Sequence, residues 1–199
     1  MKSLITVALA GVFAIATSNA SEVGKEAPAF TATNVKNEAV SLADFKGKVV
    51  VLEWVNFSCP FVVKHYSSKN MQKLQSDYTD KDVVWITVNS SAEDKKGAYL
   101  EPSKLAEKCA EEGSKATQII VDADGTVGKA YGAKVTPHMM IVAQDGTLAY
   151  SGAIDSKAST DSSDIEGADP LFANALDAVL AGKEVANAKN EPYGCGVKY

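Results

Sequence analysis

The stretch Val49-Val-Val-Leu-Glu-Trp-Val-Asn-Phe-Ser-Cys-Pro-Phe-Val62 decides how this chain reads. The run Val49–Trp54 has the apolar character of a strand buried on both faces, and Pro60 stands where the first turn of a helix favours proline. The segment therefore predicts strand, tight turn and helix, with Cys59 at the helix head. Unpaired backbone N–H groups and the positive end of the helix dipole favour an anion there. Thiolate is the reactive form of cysteine, so this placement lowers the pKa of Cys59 and marks it as a nucleophile.

Working outward, the N-terminus has a short cationic start, Met1-Lys2-Ser3, then an apolar stretch from Leu4 to Thr17 and small residues at Ser18-Asn19-Ala20. This pattern predicts a secretory signal peptide over 1–20, with the mature domain spanning 21–199. An uncleaved anchor is the alternative, against which the apolar stretch is shorter than the ~20 residues a spanning helix needs. The expected location is exported and periplasmic, with no stable membrane anchor after cleavage, in a compartment where disulfide chemistry is allowed. The net charge of −5 and the lack of a basic stripe argue against nucleic acid as a partner. All 20 side chains counted as Lys or Arg are lysines, so no fixed bidentate guanidinium fork is available anywhere.

Short strands are expected at 30–33 and 39–41 as an N-terminal hairpin, followed by a helical turn at 42–45. Beyond Cys59 one helix is expected over 60–78, with a fray or kink at Ser67-Ser68, then a buried strand at 83–88 and a loop to Ala98. A helix over 101–112, a strand at 119–121 and a short helix ending at Tyr131 follow. Gln144-Asp145-Gly146 between 139–142 and 148–152 is a strong hairpin signal, and a last helix occupies 170–182. Strands interleaved with helices, then a hairpin and a helix, imply an α/β fold with a central mixed β-sheet flanked by helices.

That order, with Cys59 at a strand-to-helix turn and Val135-Thr136-Pro137 just before the hairpin, resembles the thioredoxin superfamily. Within it, Cys59-Pro-Phe-Val-Val-Lys-His-Tyr66, Tyr131-Gly-Ala133 and Gly194-Cys195-Gly-Val-Lys198 are similar to the peroxiredoxin-like redoxins of the alkyl hydroperoxide reductase and thiol-specific antioxidant type. The resemblance covers about residues 28–198 and implies a thioredoxin-like fold and a thiol-dependent oxidoreductase. It implies a cis Pro137 against the reactive cysteine and a Thr136 backbone free to bind an extended substrate strand. Trp54, Asn56 and Phe57 would line that substrate site. Two positions depart from better-known relatives. A thioredoxin carries a second cysteine at the position of Val62. A typical peroxiredoxin carries proline at the position of Leu52 and threonine or serine at that of Asn56, together with an arginine that this chain lacks. Asn56 remains a candidate hydrogen-bond donor near the sulfur.

His65 lies about 240° around and ~9 Å along an α-helix from Cys59, so it is expected to pack or face solvent rather than touch the thiol. Lys64 is expected to be solvated. His138, next to Pro137, is the better-placed neighbour if the proline contacts Cys59, and otherwise a strand residue. Cys109 falls four residues after Leu105 on one helical face and reads as core. Cys195 sits between glycines, whose freedom suits a resolving thiol. Three cysteines leave at least one unpaired: Cys59 with Cys195 would be a redox couple, and Cys109 with Cys195 a structural clasp. The first is preferred. Cys59 would attack a peroxide or a protein disulfide, with Cys195 or an external thiol resolving the product, and a thiol protein or small thiol as reductant. No cofactor or metal is expected, since Val62 and Val63 leave one soft ligand locally. A non-catalytic module that binds a peptide or partner in the same cleft is the alternative.

Overall fold

The computed structural model describes residues 21–99 and 101–199, and the expected signal peptide over 1–20 lies outside them. Strands β1 (Thr31–Thr33) and β2 (Ala39–Ser41) pair antiparallel as the N-terminal hairpin. A 3-10 turn at Leu42–Phe45 follows, closed by reciprocal hydrogen bonds between Ser41 and Asp44. Strand β3 (Val50–Trp54) leads to helices α1 (Pro60–Ser67) and α2 (Asn70–Thr79), then β4 (Val84–Asn89). Helix α3 (Pro102–Glu111), strand β5 (Gln118–Val121) and helix α4 (Thr126–Tyr131) come next. The chain continues through β6 (Val135–Thr136), β7 (His138–Val142), β8 (Leu148–Gly152) and α5 (Leu171–Leu180), and ends with β9 (Cys195–Gly196).

The main sheet has the order β5-β4-β3-β7-β8, with β3, β4 and β5 parallel and β7 and β8 antiparallel. This is the mixed, thioredoxin-like arrangement expected from the sequence. Every residue of β3, β4 and β7 is buried, as strands covered on both faces require. On one face, Val51, Val55, Trp85, Met139 and Ile141 pack against Val62 and Tyr66 of α1, Met71 of α2, Leu105 and Cys109 of α3, and Phe172 of α5. On the other, Val50, Leu52, Trp54, Ile86 and Met140 meet Val127 and Tyr131 of α4 together with Ala27 and Phe30. Cys109 is thus a core residue, as its spacing suggested, and burial raises its thiol to about 12.

Two features differ from the sequence reading. The single helix expected over 60–78 is two helices, because Lys69 adopts a left-handed conformation (φ 65°) and the Ser68 hydroxyl donates to the His65 carbonyl at 3.2 Å. That local bond competes with the helix ladder. The second is β9. The tail is a docked strand, paired antiparallel with β6 so that Thr136 faces Cys195 and Val135 faces Gly196.

Candidate active site

Cys59 is the N-cap of α1 and Pro60 opens the helix. The chain turns there because the Cys59 N–H donates to the Asn56 carbonyl at 2.9 Å and the Asn56 side chain accepts from the Ser58 N–H at 2.8 Å. The Thr136–Pro137 bond is cis, as the resemblance implied, and the Cys59 thiol donates to the Thr136 carbonyl at 3.1 Å. Because β9 pairs Cys195 with Thr136, both thiols stand beside the same residue. Both are free thiols; Cys59 is 2 % exposed and Cys195 about half-buried.

Burial alone would raise the Cys59 pKa. The Cys195 thiol, the Val62 N–H, the Thr136 hydroxyl and the Cys195 N–H together outweigh it and bring Cys59 below its ordinary value. Val62 acts from a distance, since the Cys59 side chain forms no closed helix cap. The Thr136 hydroxyl is buried with no hydrogen-bond partner of its own among the described residues, which leaves its proton available to a thiolate. Cys195 moves the other way. Its burial, its hydrogen bond to Cys59 and the charge there push it up to about 11. The two shifts run in opposite directions, and the hydrogen bond between the two sulfurs contributes to both.

The remaining expected site residues separate into two groups. Phe57 lies on the Cys59 face, its ring edge-on to Tyr66 at 5.1 Å. Asn56 is adjacent, but its amide is spent on Ser91 at 3.2 Å and the Lys96 carbonyl at 2.9 Å, and so does not donate to the sulfur. Gly97 (φ 85°) allows that contact, because a Cβ there would lie 2.2 Å from the Asn56 amide oxygen. Trp54 belongs to the opposite face of the sheet, fully buried against Tyr131 and bonded to Ser90 at 3.1 Å. His138 sits directly across from Trp54 in the register and shares that face, accepting from the Lys134 N–H and meeting Ser151 at 3.1 Å. Alternation along a strand puts both side chains away from the thiol.

Lys64 corrects the expectation of a solvated residue. Its ammonium is buried, donates to the Lys157 carbonyl at 3.0 Å and lies 3.7 Å from Asp155. His65 packs beside it, between Asn70 at 2.8 Å and the Tyr193 hydroxyl at 3.1 Å. Tyr193 itself donates to Asp155 at 2.5 Å, and its ring lies tilted against Phe61 with centroids 5.7 Å apart. A buried polar cluster under α1 thus grips the tail two residues before Cys195. Buried charges survive only with such partners, and the sequence carried no sign that residues so far apart would meet. Glu53 is a second buried acid. It accepts from Tyr66, Gln75, Trp85 and Thr87 on the α1 side of the sheet, and burial raises its pKa. A lone carboxylate inside an apolar run was the available signal. A cavity of about 350 Å³ lies at the other end of β3 against Leu42, Phe45, Val50 and Val142, remote from the thiols.

The family model described as Redoxin matches residues 22–168. The chain belongs to the redoxin family. The thiol-disulfide oxidoreductase ResA of Bacillus thuringiensis subsp. konkukian (strain 97-27) is 26% identical over 127 residues, 64% of this chain and 67% of that protein. Among solved structures, an uncharacterized conserved protein from Geobacillus kaustophilus is 29% identical with a TM-score of 0.71, covering 91% of this chain and 94% of that one. A hypothetical protein from Sinorhizobium meliloti 1021 superimposes equally well (TM-score 0.71, 23% identity, 91% and 96% covered). This redoxin is a thiol-dependent oxidoreductase, with the fold that the sequence implied. The matched family region ends at residue 168, before Cys195.

Proposed function

We propose that this redoxin is an exported enzyme whose working unit is the dithiol Cys59–Cys195. Cys59 is the attacking thiol and Cys195 the resolving one. The observation that carries this reading is the shared register: Cys195 pairs with Thr136, whose carbonyl the Cys59 thiol contacts. The opposed pKa directions of the two sulfurs suit the same roles. With a peroxide, the Cys59 thiolate bonds to one peroxide oxygen, the O–O bond breaks, and the leaving oxygen takes a proton. Cys59 becomes a sulfenic acid, and Cys195 then displaces its hydroxyl as water to give a disulfide. With a disulfide substrate, the thiolate displaces one sulfur as a thiol, and Cys195 releases the other from the mixed disulfide. A thiol protein or small thiol returns the pair to the dithiol by exchange, taking up the disulfide itself. ResA, a thiol-disulfide oxidoreductase, supports the exchange branch. Thr136 and Pro137 shape the site, and export places the couple where disulfides persist.

Mass spectrometry of the reduced protein before and after one equivalent of hydrogen peroxide, alongside a Cys195→Ser variant, tests the reading. The expected products are a Cys59–Cys195 disulfide in the wild type and a sulfenic acid on Cys59 in the variant. A Cys109–Cys195 bond, or a Cys59 thiol untouched in every sample, would overturn it; the untouched thiol would instead favour a binding module.

A further inference from the structure

A strand edge beside a nucleophile is a natural seat for an extended peptide, because backbone hydrogen bonds add it as one more strand. Here the edge beside Cys59 is β6, and it is taken by the chain's own tail. Cys195 and Gly196 pair with Thr136 and Val135, and the Val197 N–H donates to the Lys134 carbonyl at 2.9 Å. The tail is held on both sides of this pairing. Before it, Tyr193 is bonded to Asp155 and His65. After it, the Lys198 carbonyl accepts from the Ala92 N–H at 2.7 Å, and the Tyr199 hydroxyl donates to the Ala133 carbonyl at 2.9 Å. Gly194 makes the approach possible: at φ 145°, a Cβ there would stand 2.0 Å from the Thr136 carbonyl oxygen. Gly194 thus serves close docking rather than reach.

We infer that β9 is a built-in strand that makes this redoxin selective for small oxidants over peptide disulfides, with Gly194 as the residue that lets it dock. The inference rests on the proposed Cys59–Cys195 couple and names the substrate class of that site. A small hydroperoxide or disulfide needs only a narrow path to a sulfur on a residue that is 2 % exposed. An extended peptide must first displace β9 and take over its backbone hydrogen bonds. A site open only when its occupant leaves loses apparent affinity in proportion to the open fraction.

The test measures how fast Cys59 is consumed in the reduced protein, by quenched alkylation and mass spectrometry, with three oxidants: hydrogen peroxide, hydroxyethyl disulfide and a short extended peptide dimerised through a disulfide. In the wild type, the peptide disulfide is expected to react about tenfold or more slowly than hydroxyethyl disulfide, as a tail docked most of the time requires. Gly194→Ala should close that gap. Val197→Pro, which removes the N–H donated to Lys134, should close it by a second route. Hydrogen exchange at the Cys195 amide reports whether the tail has been released in each variant. Equal rates for the two disulfides in the wild type would overturn the inference, as would an unchanged gap in a variant whose tail is released. Neither result touches the couple. A Cys59 that reacts with none of the three oxidants would overturn the couple and the inference together.

Discussion

At the scale of single residues, the chemistry of Cys59 is set by what donates to it. Desolvation opposes its ionisation, and a helix head alone does not overcome that; the Cys195 thiol is the largest of the opposing hydrogen bonds. Hydrogen bonds to an ionised partner are the strong ones. Replacing Cys195 with alanine therefore removes the leading stabiliser of the anion, and the Cys59 pKa should rise. The pH midpoint of Cys59 alkylation by iodoacetamide reads this directly. The midpoint is independent of any change in access, which scales the rate at every pH. A midpoint that stays put or falls in Cys195→Ala would show that the Val62 N–H and Thr136 hydroxyl carry the effect instead.

Among elements, the backbone breaks were harder to read than the elements themselves. Runs such as Val83–Val88 and the Gln144–Gly146 turn announced β4 and the β7–β8 hairpin through local pattern. The two-residue strand β9 has no such pattern, since a cysteine between glycines favours no strand, and only tertiary pairing with Thr136 creates it. The burial of Lys64 was illegible for the same reason: its partner Asp155 lies far along the chain. At Lys69 the sequence hinted at a fray through its serines, but not at the left-handed residue that ends it. A side chain in that conformation costs roughly 1–2 kcal/mol, part of which glycine gives back through its greater freedom when unfolded. Lys69 is exposed and stands at the N-cap of α2 without a capping bond. Lys69→Gly should therefore stabilise the fold by about 0.5–1 kcal/mol, seen as a higher urea midpoint with an unchanged slope. A lower midpoint would mean that the lysine side chain supports the break.

For the molecule as a whole, buried ionisable groups tie stability to pH in opposing directions. Burial holds His138 down at about 4, with the nearby Lys134 charge adding to the effect, and His65 is likewise at about 4. Each is neutral when folded and takes up a proton more readily when unfolded. Their contribution is complete above the ordinary histidine value of roughly 6.5 and is lost as the pH falls from there toward about 4. Glu53 and Asp122 work against this, because burial raises both carboxyls and the folded state then holds their protons more tightly. Wild-type stability against pH sums the two trends, so the comparison that isolates one residue is His138→Gln. Glutamine keeps a polar side chain opposite Ser151 and cannot titrate. Between pH 7 and pH 5 the wild type should lose about 2 kcal/mol relative to the variant, as the histidine in the unfolded chain becomes charged. Urea unfolding of both proteins at the two pH values measures that difference. Parallel losses would place the acid sensitivity in His65, which packs with Asp155 and Tyr193. That cluster also holds the tail against α1, so acid would then loosen the grip on Cys195 before the sheet itself gives way.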